Sequence, residues 1–340
     1  MVKVCVFDTE TSGLPGYLPG KDWKERNEND EKLLNYSDLN KSNSTSMWNK
    51  MLPSWPSIIQ LSYIIYDTEN PQVSKIFNKF IELTDDIEIS EGSIAIHKID
   101  KNKIREMTAE KKAPVEVALN EFLNDIMNPE VTIVVGHNVQ FDRKMIIAEL
   151  LRLQNTANSD LTEQIKYLMT GENFACTMSD TADFCNIQIP VNYKDKRTGE
   201  DKVFYKIKSP KLSESYQHYF GYAPMGDALH DALVDVVVCL RVFMKYKFQE
   251  DICGKNKEIT DYIINISPDG YVCPMDITNK MNEIPYENII DSGLDISQLS
   301  LENIDDNTNA NKKAGGGTKK NKRKGKKNKK NKKKTKRTKK

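Results

Sequence analysis

The 340-residue chain has no CxxC pair, no leader-like start and no apolar run of the roughly 18 residues that a membrane span requires. Its six cysteines, Cys5, Cys176, Cys185, Cys239, Cys253 and Cys273, are scattered, most of them inside apolar runs. They are expected to be reduced, buried thiols rather than a disulfide framework or a zinc site. With 16 glycines and 13 prolines, neither residue is abundant enough for a collagenous or wholly disordered chain. The first residues run straight into a strand-like stretch with no charged segment or cleavage site before it, so an intracellular protein is expected, with nucleus and cytoplasm both open. No membrane association is expected.

Acidic residues are missing from one region altogether. Between Lys312 and Lys340 there are 18 Lys or Arg and no Asp or Glu, which leaves 32 basic against 49 acidic residues upstream, a net −17. The overall charge of +1 therefore averages an acidic body with a polybasic tail, an asymmetry that points to a polyanionic partner.

What is present reads as one layered α/β domain. Val2–Phe7 is a short β-branched run that stops at Asp8, as a buried strand does. Further strands are expected over 58–66, 73–83, 131–135 and 174–178, and helices over 115–126, 142–153, 161–169 and 231–246. Residues 15–55 and 190–208 interrupt this pattern as polar insertions, the second with the alternation of a hairpin around Thr198-Gly199. The organisation expected is a domain over 1–250, a small appendage over 251–301, and a linker with a disordered tail over 302–340, where nothing can bury enough surface to offset chain entropy.

Three short segments carry candidate chemistry. Asp8 and Glu10 stand two apart at the end of the first strand, so their side chains share one side. That pair suits a divalent cation with oxygen ligands, Mg²⁺ or Mn²⁺, and equally suits a solvated strand end. Gly136-His137-Asn138-Val139-Gln140-Phe141-Asp142 follows the fourth strand. There Asp142 reads as a helix cap or a ligand, His137 as a semi-buried histidine, and Asn138 as a brace for the loop. His230-Asp231-Ala232-Leu233-Val234-Asp235 leads into an almost wholly apolar helix. A carboxylate at Asp235 is costly there unless it is paired or coordinates metal. His230, five residues earlier, reads as a loop residue and Asp231 as the helix cap.

In this order the segments resemble the DEDDh 3′→5′ exonuclease superfamily, which includes the proofreading subunit of bacterial replicative DNA polymerases and ribonuclease T. Phe7-Asp8-Thr9-Glu10-Thr11-Ser12-Gly13-Leu14, Ile96-His97, Asn138-x-x-Phe141-Asp142, Lys211-Leu212-Ser213 and His230-x-x-x-x-Asp235 carry the resemblance, across roughly residues 2–247. It implies a ribonuclease-H-like fold, a mixed five-stranded sheet flanked by helices. It also implies hydrolysis of phosphodiester bonds from 3′ ends with two Mg²⁺ or Mn²⁺ ions, releasing nucleoside 5′-monophosphates. Asp8 is then implied to bridge both ions, Glu10 and Asp235 to complete the water-activating site, and Asp142 to hold the ion at the leaving group. His230 is implied to be the general base. Thr11, Leu14, His97, Asn138 and Phe141 are implied to meet the terminal nucleotide.

The resemblance leaves DNA and RNA both open as substrate, with DNA and a proofreading or repair role favoured and RNA trimming as the rival. A non-catalytic nucleic-acid or polymerase-binding module is the reading of another class, opposed by the filled catalytic positions. A polymerase or other replication protein is a further implied partner. The tail is expected to bind phosphate backbones, with a nuclear address and an arm folded on the acidic body as its alternatives. The hairpin with Lys194, Lys196, Arg197, Lys202, Lys206 and Lys208 reads either as an arm toward nucleic acid or as a solvated excursion.

Overall fold

A computed structural model describes residues 2–15, 52–157, 160–225 and 229–274. Most of the 15–55 insertion, the end of the 251–301 segment and the whole polybasic tail lie outside the described residues. The chain divides into units 1–283 and 284–340, and all that follows concerns the first.

The central sheet is built on β1 (Lys3–Thr11), whose apolar run and β-branched residues favour extended backbone. β2 (Ile58–Asp67) pairs with it antiparallel, and β3 (Lys75–Ile81) pairs antiparallel with β2. A two-residue strand, β4 (Lys112–Ala113), then pairs parallel with Phe80 and Ile81. Beyond it come two helices of the sheet's flanks, α3 (Val115–Ile126) and, after β5 (Val131–Gly136), α4 (Val139–Ala157). The connection into α3 contains α1 (Glu91–His97) and α2 (Lys101–Glu106), each capped at its start by a side-chain oxygen, from Ser90 and Asp100. α5 (Thr162–Thr170) leads to β6 (Phe174–Cys176). β5 lies parallel to β1 on its other edge and β6 parallel to β5, giving the order β4-β3-β2-β1-β5-β6 with β2 alone reversed.

This is the mixed sheet of a ribonuclease-H-like fold, with one correction. The sheet has six strands rather than the expected five, because the short β4 extends the β3 edge. Two residues carry no periodicity of their own, so only the pairing with β3 reveals that strand.

Alternation along β1 sorts its side chains onto two faces. Cys5 and Phe7 join Tyr63, Phe77 and the buried faces of α3 and α4 in one apolar cluster. Val4 and Val6 face the other way, onto α9 (Ala232–Phe248), meeting Val236, Val237, Leu240 and Phe243. Between these helices run α6 (Thr177–Asp180), α7 (Ala182–Cys185), a separate two-stranded ribbon of β7 (Gln188–Lys194) and β8 (Asp201–Ile207), and α8 (Leu212–Phe220). Arg152 and Glu149 on α4 hold the start of the second described segment. Glu149 Oε1 accepts from Ile58 N at 2.9 Å, and the Arg152 guanidinium donates to the carbonyls of Leu52, Trp55 and Pro56.

The stretch after α9 packs onto the same core. Ile252 and Cys253, together with Ile259 and Ile263 of α10 (Lys257–Asn265), lie against Val4, Ile64 and Phe243. Its main tie is Arg241, only 1% exposed although charged. The guanidinium makes paired bonds to Asp251, at 2.9 Å to Oδ1 and 2.8 Å to Oδ2, and donates to the hydroxyls of Tyr216, Tyr222 and Tyr271. The Arg241 charge is thus matched by Asp251 inside the core, as a buried ion must be.

Cys253 and Cys273 are joined in a disulfide, against the expectation that all six cysteines are free. The fold turns the chain back through Ser267–Gly270, and nothing in the spacing of isolated cysteines signals that return. The remaining four are thiols as expected, three of them buried.

Arg241→Leu leaves Asp251 and three phenols without their donor at a largely buried site, which is expected to lower unfolding free energy by about 3 kcal/mol in urea denaturation. A loss under about 1 kcal/mol would show that the node is not a principal tie of the 251–274 segment.

Candidate active site

The acidic residues meet where β1 outruns its neighbour. The register with β5 ends at Val6↔Val135, whereas β1 continues to Thr11 alongside β2. Asp8 and Glu10 occupy this overhang, on the face covered by α9. Asp231 caps that helix by accepting from Leu233 N at 3.0 Å, and Asp235 follows in its first turn. Asp8, Glu10 and Asp235 place one carboxylate oxygen each within 4.8 Å of one another.

Asp142 reaches the same end of the sheet from the other side. Gly136 closes β5 so tightly that a Cβ there would stand 3.1 Å from Val139. Asn138 then takes φ +66°, a left-handed conformation that asparagine tolerates, and its carbonyl accepts from Phe141 N at 2.8 Å. The turn starts α4 and sets Asp142 in its first turn, fully buried. Asp142 Oδ1 accepts from Thr9 N at 3.1 Å and from Thr9 Oγ1 at 2.7 Å. With β5 already ended, Asp142 takes the main-chain N–H of β1 that no strand partner takes. Asp142 is therefore a strand-end partner rather than the cap of its own helix.

Four carboxylates this close are held toward protonation. Burial and then the charges of Asp142, Asp235 and Glu10 push Asp8 well above the usual carboxylate range. Burial and the neighbouring acids, Asp235 foremost, raise Glu10 to about 9. Asp235 is raised to about 7, chiefly by burial, against the bond from His230 N. Asp142 is likewise raised to about 7 by burial, although both bonds from Thr9 oppose the shift.

His230 stands on the loop before α9 with φ +77°, a conformation that costs a residue with a Cβ roughly 1–2 kcal/mol. Its N–H points at Asp235 Oδ2, 3.3 Å away. Its imidazole, exposed at the mouth, is lowered from the ordinary histidine range by lost solvation and by Lys211. His230 and His97 both line a cleft of about 320 Å³ with Asn78, Lys98, Lys103 and Tyr262.

The other predicted residues are placed differently from one another. His97 Nδ1 accepts from Ile99 N at 3.0 Å, so Nε2 carries the proton and donates to Thr11 O at 3.3 Å. Thr11 in turn donates its hydroxyl to Gly13 O at 2.7 Å, which shapes the chain leading to the exposed Leu14. Phe141 packs partly against the apolar core, and Asn138 is exposed on its turn. His137, as expected, is satisfied, its two ring nitrogens lying 3.0 Å from Thr177 Oγ1 and 3.1 Å from Pro210 O.

The residue types alone did not point to Thr9, whose two bonds anchor Asp142, or to the polar row beside Asp8 and Glu10. The register sets Ser62 opposite Asp8 and Gln60 opposite Glu10, and both donate to Asn78 Oδ1, at 2.9 and 3.0 Å. Polar residues at alternate positions of an otherwise apolar β2 were the available signal.

No protein-family model and no curated protein matches the sequence. Solved structures that resemble the chain include E. coli exonuclease I in complex with a 5cy-dT13 oligonucleotide, with 14% identity and a TM-score of 0.41, covering 78% of this chain and 43% of that one. Another exonuclease I structure gives 14% identity and a TM-score of 0.44 over the same shares. A product-bound exonuclease I gives 13% identity and a TM-score of 0.40, with 46% of that chain covered. The chain spans less than half the length of these structures, and likenesses of this size carry no functional inference.

The donor set itself fits a hard divalent cation. All its ligand atoms are carboxylate oxygens, and their raised affinity for protons is what neighbouring positive charge would reverse. Without metal the folded chain binds more protons than the unfolded one, from the ordinary carboxylate range near pH 4 up to the raised value of Glu10 at about 9. Stability in EDTA is therefore expected to fall as pH rises from 5 to 8, and Mg²⁺ or Mn²⁺ to reduce that fall. Thermal melts read this directly; a melting temperature flat or rising over that range in EDTA would contradict the electrostatic account.

Proposed function

We propose that the chain is a divalent-metal-dependent 3′→5′ exonuclease acting on DNA ends and releasing nucleoside 5′-monophosphates. The observation that carries this reading is the convergence of Asp8, Glu10 and Asp235 within one ligand sphere, with Asp142 buried against Thr9 beside them. The order of these residues and their loop histidine is that of the DEDDh resemblance. Asp8, Glu10 and Asp235 would hold one divalent ion, and Asp8 with Asp142 a second. Bound there, such ions supply an acidified water and neutralise the charge that builds on the phosphate.

The chain's own groups supply the rest. His230 sits on the solvent side of Asp235, where a lowered imidazole is neutral near pH 7 and able to accept the proton of the attacking water. Thr9 keeps Asp142 from turning away by engaging Oδ1 twice. His97, held in a single tautomer between Ile99 and Thr11, fixes the chain at the end of β1 where Thr11 and Leu14 would meet the terminal nucleotide. Leu14 offers an exposed apolar side chain there, suited to packing against a terminal base without base preference.

Asp8→Asn and Asp235→Asn are each expected to reduce release of mononucleotides from a 3′-end-labelled oligodeoxynucleotide with Mn²⁺ by at least about a thousandfold, because ligands of one site act as a unit. Activity within tenfold of the parent would remove the assignment. For His230→Ala we expect a rate lower by about a hundredfold or more and loss of the acid limb that the parent shows below pH 6.5, measured as kcat against pH. An unchanged profile excludes it as the base.

A further inference from the structure

Between α7 and α8 the chain leaves the body as the β7–β8 ribbon, paired from Gln188↔Ile207 to Lys194↔Asp201. Neither face of the ribbon is covered. Tyr205 and Val203 on one face are 66% and 56% exposed, and Phe204 and Tyr193 on the other are 47% and 44% exposed. An isolated two-stranded ribbon is marginal in water, and rings of this size are seldom left open without a binding role.

Charge gives the patch a direction. The ribbon and its exit carry six Lys or Arg against three acids over 188–208, on a body that is strongly acidic. Lys202 is taken by Asp195 and Lys208 by Glu214. Among the described residues no ion pair engages Lys194, Arg197 or Lys206. Basic heads set among open aromatic faces suit a strand of phosphates and unstacked bases, whereas an apolar protein face would leave those cations unmatched.

The chain leaving the ribbon, at Pro210 and Lys211, passes near the carboxylate site. His137, on the turn leading to Asp142, contacts the carbonyl of Pro210 at 3.1 Å, and the charge of the adjoining Lys211 acts on His230. Phe184, just before the ribbon and 56% exposed, stacks on Tyr219 with centroids 4.4 Å apart. An aromatic step therefore stands between the site and the ribbon in the chain.

We propose that the β7–β8 ribbon is a binding surface for single-stranded DNA, holding the body of the strand whose 3′ end enters the carboxylate site. Tyr193, Phe204 and Tyr205 stack its bases, and Lys194, Arg197 and Lys206 contact its phosphates. This rests on the exonuclease reading for the position of the 3′ end, and deepens it by assigning where the strand is gripped.

The test uses the full chain bearing Asp8→Asn, so that bound DNA is not consumed. A dT20 oligonucleotide with one interior 5-iododeoxyuridine is irradiated on the protein, and the crosslinked peptides are mapped by mass spectrometry. Crosslinks within 188–208 are expected. A K194E/R197E/K206E triple variant is expected to weaken dT20 binding about tenfold at low salt and to flatten the salt dependence by about 0.7 in slope for each phosphate the ribbon no longer neutralises. Tyr205→Ser, which leaves the charges in place, is expected to weaken it about fivefold, the low end of what one stacked base contributes.

Crosslinks confined to other segments, with parental affinity in both variants, would overturn the proposal. Equal or stronger crosslinking of an rU20 strand at the ribbon would overturn its commitment to DNA. In chains retaining Asp8, hydrolysis of a thymidine dinucleotide, which has no strand to lay on the ribbon, is expected to be unaltered by the triple variant. If the parent releases no mononucleotides from a 3′-end-labelled oligodeoxynucleotide with Mn²⁺, the exonuclease reading fails while the crosslink map still decides the ribbon.

Discussion

Four carboxylates from three distant stretches of chain share one end of a sheet, and their mutual repulsion is the constraint around which the rest is arranged. Burial pushes Asp8, Glu10, Asp142 and Asp235 toward the protonated state, and for Asp8, Glu10 and Asp235 the neighbouring acids' charges add to it. A fold stabilised only by its own contacts would separate such groups or pair them with lysine and arginine. Keeping them together fits the proposed cation site, and the surroundings must be rigid enough to resist the repulsion.

That rigidity comes from both faces of β1. On one side the apolar cluster of Phe7, Tyr63, Phe122 and α4 fixes the helix whose first turn carries Asp142. On the other, α9 is pressed onto Val4 and Val6 and further locked by Arg241, whose bonds to Asp251 and three tyrosines tie the 251–274 stretch across its back. Asp235 cannot retreat without unpacking this helix. At the open end, the two bonds from Thr9 and the imidazole of His97 hold the flanks of the same overhang. The site is thus strained in charge and supported in packing, with the loop histidine at its solvent edge.

The elements that read correctly from the residues are those with long, bounded patterns. β1, β5 and α9 are runs of branched apolar residues bounded by Asp8 and Gly136 at the strand ends and by the Asp231 cap at the helix start, and their limits differ from expectation by a few residues. β4 escaped notice because two residues carry no period, and α10 because its amphipathic face means little until its partner is known. The Cys253–Cys273 link was missed for a related reason, since a turn at Ser267–Gly270 brings together two cysteines that look isolated along the chain. The ribbon was visible as an alternating stretch, but not that both its faces would stand open.

The residues themselves determined which side chains could do chemistry here: two acids spaced for one side of a strand, an acid forced into an apolar helix, and a histidine on the loop before it. Spacing of this kind is local, so it survives in the linear order. Only the tertiary structure decided that β5 ends short of β1, and hence that the unclaimed N–H of Thr9 draws Asp142 to the site across 133 positions. Register between strands, and the burial that shifts every proton affinity in the cluster, are properties of packed neighbours that no single segment encodes.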